Sequence, residues 1–307
     1  MTVNPSAIGS AWFLDGIANL QRRETDTQKQ LSSGYSVQDA ADAPSQSTTL
    51  VSLGASLATF QTWRTNLNRV QAETQTADQA LGSAISLLDQ ARSIGAQGVN
   101  PTATANSRGT LAVQIRNIQQ QLVALSNTSV EGRYIFAGDH DQSAPYQVDA
   151  ASATGVAQLV ASASTRTIVN PAGEAVYRSG TAQQIFDPVD AAGAPTPDNT
   201  FAAIQSLVAA LGANDQPGIT SAISSLNVAS DWVNQQQASY GAAEQRITAE
   251  QSNADSQIST LRAAIGGIRD ADVVQAATDL SQENIDRSAA YGAQAQIGRK
   301  SLFDYLG

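Results

Sequence analysis

Two apolar series with alternating three- and four-residue spacing constrain this chain more than any other feature. The first runs Phe60, Trp63, Leu67, Val70, Thr74, Ala77, Leu81, Ala84, Leu88 and Ala91 without a slip. The second runs Ile219, Ile223, Leu226, Ser230, Val233, Gln237, Tyr240, Glu244, Ile247, Gln251, Ala254, Ile258, Leu261, Ile265 and Ile268. A shorter third series is Leu111, Ile115, Ile118, Leu122 and Leu125. A mean spacing of about 3.5 residues draws a narrow stripe that supercoils against partner helices. The second series predicts a helix of about 75 Å at ~1.5 Å per residue. Helices much longer than ~25 residues belong to coiled coils and bundles. Ser230, Gln237, Glu244 and Gln251 place one polar residue on the stripe per heptad. Polar stripe residues cost stability and pin register, unless these positions drift to the flank of a wider bundle.

Each chain end carries a weaker series. Phe13, Ile17, Leu20, Glu24, Thr27 and Leu31 precede Ser33-Gly34, a helix-stop signal. Val273, Ala277, Leu280, Asn284, Arg287 and Tyr291 follow Asp270 and Asp272, both good N-caps. Such apolar-poor helices are marginal alone, so the expectation is that both ends are loose in the monomer and order against partners. Trp12 and Phe13 at one end, with Leu302, Phe303, Tyr305 and Leu306 at the other, mark an interface between chains or a small core between the ends. The predicted subunit-interface set is Trp12, Phe13, Ile17, Leu20, Leu31, Val273, Ala277, Leu280, Tyr291, Leu302, Phe303 and Leu306.

Between about Gly138 and Thr200 the helical period fails, and glycine and proline cluster. Tyr146-Gln147-Val148, Thr165 to Val169 and Ala175 to Arg178 read as short strands, with a turn at Pro171 to Gly173. The predicted fold is mainly α: a long antiparallel helical bundle or coiled-coil rod built from both chain ends, with a small β-rich insert. Residues 1–45 with 269–307 form a terminal helical domain, 46–138 with 200–268 a rod domain, and 139–199 the insert. The insert reads as an appendage whose removal leaves the helices folded.

Composition removes whole classes of function. The 307 residues hold no cysteine and one histidine, His140. That excludes disulfides, a thiolate nucleophile and multi-histidine metal sites. A net charge of -10 argues against a nucleic-acid partner, which needs a basic face. No run of about 18 apolar residues suggests a membrane span, and the N-terminus lacks the basic and apolar regions of a cleavable signal peptide. Aromatics are 5% of the chain, which argues against one thick aromatic core.

Candidate catalytic groups are sparse. Asp139-His140-Asp141 flanks an imidazole with carboxylates, but in a polar loop with no second ligand set such a triplet is usually a solvated turn. Lys29 and Lys300 stand at opposite ends of the chain. Asp187 and Asp190 could pair as acid and base, but Pro188 between them reads as an exposed turn. Gly266-Gly267 lies inside a helical period, and Asn127-Thr128-Ser129 is a glycosylation tripeptide with a high chance rate. No enzyme is legible, and no cofactor or metal is expected. A coiled-coil binding module, or an enzyme using the β-rich insert, remains the alternative of another class.

Taken together, the chain resembles the flagellin superfamily of axial flagellar proteins. Leu31-Ser32-Ser33-Gly34 with Asp39-Ala40-Ala41-Asp42 is similar to the flagellin N-terminal segment. Arg269-Asp270-Ala271-Asp272-Val273-Val274 to Leu280 is similar to the start of the C-terminal helix, and Ser301-Leu302-Phe303 to its end. Gly132-Arg133-Tyr134-Ile135-Phe136-Ala137-Gly138, followed by Ala144-Pro145-Tyr146, resembles the hook-associated branch of that superfamily rather than ordinary filament flagellins. The resemblance covers roughly 1–146 and 200–307. It implies a structural protein exported unfolded through the flagellar type III apparatus and assembled at the distal end of the organelle. Its implied partners are neighbouring copies, other hook-associated proteins, filament flagellin and a cytoplasmic export chaperone. Terminal helices are then an inner tube and the long helices the next shell.

Overall fold

The structure, a computed structural model, describes residues 5–39, 42–160 and 165–297. In chain order the helices are α1 (Pro5–Ser33), α2 (Pro44–Val99), α3 (Ala105–Ser126), α4 (Ala182–Phe186), α5 (Thr200–Gly212), α6 (Gln216–Arg269) and α7 (Val273–Ile297). Six short strands lie between α3 and α4: β1 (Ser129–Val130), β2 (Arg133–Tyr134), β3 (Tyr146–Val148), β4 (Val156–Gln158), β5 (Thr167–Val169) and β6 (Ala175–Arg178). They form three separate antiparallel hairpins, β1-β2, β3-β4 and β5-β6. The fold is therefore mainly α with a small β-rich insert. Two compact units share the chain, one of residues 1–59 with 257–307 and one of residues 60–256.

In the 60–256 unit the apolar stripes are buried where the spacing places them. Trp63, Leu67, Val70, Ala77, Leu81, Ala84, Leu88 and Ala91 of α2 share one core with Ile219, Leu226, Val233, Tyr240, Ile247 and Ala254 of α6. The two helices run antiparallel: Gln216 Nε2 donates to the Val99 carbonyl at 2.7 Å, and Gln251 Nε2 donates to Gln71 Oε1 at 2.8 Å. The polar stripe residues stay on the seam. Ser230 and Gln251 are buried, Gln237 and Glu244 half-buried, and Gln251 also donates to Asn68 Oδ1. Each such bond is satisfied in one register only, so the seam trades stability for alignment.

The third stripe faces the same core through α3, where Ile115, Ile118 and Leu122 are buried and α5 lies alongside. Thr104 caps α3 by accepting from the Ser107 amide, and Asn199 caps α5 by accepting from the Ala202 amide. Buried Arg108 ties the ends of three elements. Its Nε donates to the Gly98 carbonyl at 2.7 Å, Nη2 to the Asn100 carbonyl and Nη1 to Asn214 Oδ1 at 2.5 Å.

The insert is not the appendage expected. Tyr146, Val156, Val176, Tyr177, Ile185 and Phe186 belong to the same core as the helical stripes. Three hairpins of two to four residues per strand are too small to bury a face of their own, so they bury it against α3, α5 and α6. The low aromatic content is likewise concentrated here. Phe136 meets Phe186 edge-on at 5.9 Å and Tyr240 at 6.2 Å, and Phe201 lies 5.3 Å from Tyr146 and 6.1 Å from Phe186. An aromatic core exists after all, because the few rings are gathered at one place.

In the unit of residues 1–59 and 257–307, α1 and α7 pack antiparallel. Arg287 Nη1 contacts both carboxylate oxygens of Glu24, at 2.8 and 2.7 Å, and Thr27 Oγ1 donates to Glu283 Oε1 at 3.4 Å. The expected faces only partly coincide with the packed ones. On α1, Phe13, Ile17, Leu20 and Leu31 are half-buried and Glu24 and Thr27 buried, as the series places them. On α7 the stripe is partly displaced: Ala276 is buried while Ala277 is exposed, and Val273 and Tyr291 are exposed, although Tyr291 Oη accepts from Gln21 Nε2 of α1 at 3.3 Å.

Candidate assembly interface

The two terminal motifs, about 230 residues apart in sequence, meet in one joint. Helix α1 stops at Ser33 because Gly34 adopts φ +76° and its amide returns to the Gln30 carbonyl at 2.8 Å. The Gly34 carbonyl then accepts from the Ala271 amide at 2.9 Å, and the Ser36 amide donates to the Arg269 carbonyl at 2.7 Å. The Arg269 guanidinium lies 4.1 Å above the Tyr35 ring, a cation–π contact that clamps the joint from one side. Asp272 caps α7 by accepting from the amides of Val274 and Gln275, both at 3.0 Å. Asp42 Oδ2 accepts from the amides of Gln38 and Asp39, and those backbone bonds hold its carboxyl below the usual carboxylate range. Asp42 and Asp272 of the two motifs thus turn the chain and start a helix.

The Gly132–Gly138 string folds as the exit from α3. Glu131 at φ 51° and Gly132 at φ 78° form the two-residue turn between β1 and β2, the conformation that twists a hairpin correctly. Phe136 is then driven into the aromatic cluster, and its carbonyl accepts from the Ala182 amide at 2.7 Å. Buried Gly138, at φ 63°, turns the chain again. Arg133 forms an ion pair with Asp141 at 2.8 Å. Arg166 pairs with buried Glu73 on α2 and lies 4.0 Å from Asp141, so the hairpins are fastened to α2 by a chain of opposite charges. Tyr240 Oη accepts from the Gly180 amide at 3.2 Å, and burial pushes the Tyr177 and Tyr240 phenols up.

The groups weighed for catalysis diverge. Asp139 Oδ1 lies 2.9 Å from His140 Nδ1 at the surface, whereas Asp141 turns to the two arginines. Asp187 accepts from Tyr146 Oη at 3.0 Å and from Asn199 Nδ2 at 2.7 Å, while Asp190 accepts from the Ala192 and Ala194 amides of its own turn. Asn127 donates to the Tyr146 carbonyl and accepts from its amide, so the tripeptide asparagine bridges α3 to β3. Among the described residues no group of three or more His, Asp or Glu is placed to hold a metal ion, and no helix is long and apolar enough to cross a membrane.

Exposed apolar side chains are the remaining surface feature. Trp12 and Val274 are each 78% exposed, and Leu14, Val51, Val273 and Ile285 are also largely open. An open, mainly apolar groove of about 730 Å³ runs between the start of α2 and the end of α6, lined by Leu50, Val51, Gly54, Leu57, Ile265 and Gly266. Leu302, Phe303 and Leu306 lie outside the described residues, as does Lys300.

The sequence pattern of the bacterial flagellin N-terminal helical region matches residues 10–141, and that of the flagellin C-terminal helical region matches residues 219–306. The chain belongs to the flagellin family. Both motifs of the joint and the Gly132–Gly138 hairpin lie inside those two regions. Flagellar hook-associated protein 3 of Escherichia coli is 26% identical over 200 residues, covering 64% of this chain and 62% of that relative. The match therefore spans under two thirds of the relative's length. A candidate flagellar hook-associated protein of Vibrio parahaemolyticus has the same fold, with TM-score 0.63 and 17% identity over 75% of this chain and 100% of its own. Flagellar hook-associated protein-3 of Legionella pneumophila does so with TM-score 0.58 and 12% identity, over 72% of this chain and 98% of its own.

Glu244 is a flaw in the long seam of this flagellin-family chain. Its Oε1 is buried without a hydrogen-bond partner, and burial first, then the Asp78 carboxylate, raises its pKa. A raised folded-state pKa means the folded chain holds this proton more tightly than the unfolded chain. Its contribution is full below the ordinary carboxylate range and is lost as pH rises through the folded-state pKa. Glu244→Gln is expected to raise Tm at pH 7, and the gain over wild type should vanish near pH 4. Thermal melts at the two pH values check this; a gain equal at both would remove the titration argument.

Proposed function

We propose that this chain is a structural subunit of the bacterial flagellum, placed at the junction between hook and filament and carrying no catalysis. The observation that carries the reading is the likeness to flagellar hook-associated protein 3 in a chain with both flagellin terminal regions. The surface chemistry supports it: Trp12, Leu14, Val274 and Ile285 lie open on the α1–α7 pair, and such apolar patches mark contacts with other chains. Neighbouring copies cover them, with further hook-associated proteins and filament flagellin bordering the ring on either side. Head-to-tail contacts of this kind repeat helically and stay open-ended. The chain leaves the cell unfolded with a cytoplasmic chaperone and works in the extracellular flagellum, where the terminal helices face the inner tube. The absence of cysteine suits threading through a narrow channel.

Filament flagellin is the second reading, favoured by the same terminal patterns. A strain lacking the gene separates the two. Bare hooks, with filament subunits accumulating in the medium and filaments restored by the wild-type gene, are expected. Filaments of normal length in that strain would overturn the junction role. Polymerisation of the purified chain alone into long tubes would transfer the assignment to the filament.

A further inference from the structure

The seam between α1 and α7 is built the wrong way round for a helix pair held by hydrophobicity. Among the described residues of the two helices, the buried residues are Glu24, Thr27 and Ala276. The apolar members Phe13, Ile17, Leu20, Leu31 and Leu280 are only half-buried. At the centre, one Arg287 nitrogen holds both oxygens of Glu24, and Asn284 Oδ1 accepts from the other at 3.0 Å.

We propose that the Glu24–Arg287 ion pair is the register lock of the terminal helix pair, aligning α1 with α7 so that their outward apolar residues form one surface. The heptad neighbours of the two residues carry the inference. With Glu24 opposite Arg287, Leu31 stands at the level of Leu280 and Ile17 at the level of Gln294. A slip of one heptad sets Arg287 against Ile17 or Leu31, and Glu24 against Leu280 or Gln294. Arg287 is the sole basic residue between Val273 and Ile297, so no slipped register offers Glu24 a second cation on α7. A buried carboxylate without its partner is heavily disfavoured, whereas half-buried apolar contacts exchange at little cost. The pair therefore rejects wrong alignments more than it adds cohesion, which is the best attested use of a polar residue in a helical seam. Its use in assembly rests on the structural role proposed above, since alignment fixes where Trp12 and Leu14 stand relative to Val274 and Ile285.

The chain has no cysteine, so two spin labels can be placed cleanly by Arg23→Cys and Ser288→Cys, both exposed and beside the lock. The interlabel distance is then measured in the isolated full chain. A single narrow distance is expected. Arg287→Leu should broaden it or add longer distances, from populations slipped along the helix axis by about 10 Å, one heptad at ~1.5 Å per residue. The reversed pair, Glu24→Arg with Arg287→Glu, should restore the narrow distance. An unchanged narrow distance in Arg287→Leu, or no recovery in the reversed pair, overturns the lock. A broad distribution in the wild type does so as well. None of these readouts depends on where the protein works, so the lock can fail while the junction role stands, and the reverse.

Discussion

Phe136→Ala is expected to remove about 3–5 kcal/mol from the 60–256 unit, the usual range for deleting a buried aromatic ring. The ring is fully buried and stands edge-on to both Phe186 and Tyr240, so its removal opens a cavity at the meeting point of the hairpins, α4 and α6. Those neighbours are themselves fixed by backbone bonds. The Phe136 carbonyl receives the Ala182 amide, and Tyr240 Oη receives the Gly180 amide, so little collapse can fill the gap. Loss of ring–ring geometry adds about 0.5–1.5 kcal/mol per pair to the burial lost. Denaturant unfolding followed by circular dichroism reads the effect directly. A change under 1 kcal/mol would mean that the hairpins do not share the helical core. Deleting residues 147–199 should be worse still. It removes Phe186, Ile185 and Tyr177 and leaves the α6 face around Tyr240 bare, the opposite of what the insert's appearance in the sequence suggests.

What was legible in the sequence follows from how local each signal is. The α2 and α6 stripes are set by spacing alone, and all ten residues of the first series lie on the core side, Phe60 partly buried and the rest buried. Strand β6 and the turn before it were legible for the same reason, since the β-favouring Val176-Tyr177 pair and the Pro171–Gly173 turn are short-range signals. On α7 the packed face was misplaced between Ala276 and Ala277, two identical residues that carry no apolar contrast to settle the phase. The β1–β2 hairpin was missed because its strands are two residues long and Glu131, at φ 51°, is not the Asn, Asp or Gly that the first position of such a turn favours. The aromatic cluster has no local signature at all. Its rings come from positions 136 to 240, and only the folded chain brings them together. The joint between Gly34 and Ala271 was equally hidden. Each half was visible as a motif, but nothing in either half says that its backbone bonds the other.

Trp12→Asp with Val274→Asp is expected to abolish assembly while leaving the isolated chain folded. Both side chains are 78% exposed, and substitutions at such sites away from caps and ion pairs usually change stability by less than about 0.5 kcal/mol. Val274 contributes its backbone amide to the Asp272 cap, and that amide survives the change. In the assembly proposed above the same positions are covered by a neighbour. There each Asp brings an unpaired charge into an apolar contact, and the loss of apolar burial comes on top, at about 25 cal/mol per Å². Because every copy in a ring repeats the fault, small penalties multiply along the assembly rather than averaging out. The measurement is complementation of the deletion strain, with filaments counted by electron microscopy and circular dichroism of the purified variant as the folding control. Bare hooks with an unchanged melting curve are the expected pair of results. Normal filaments on the double variant would show that these two residues never meet another subunit, and the apolar inventory of α1 and α7 would then need an occupant from within the chain.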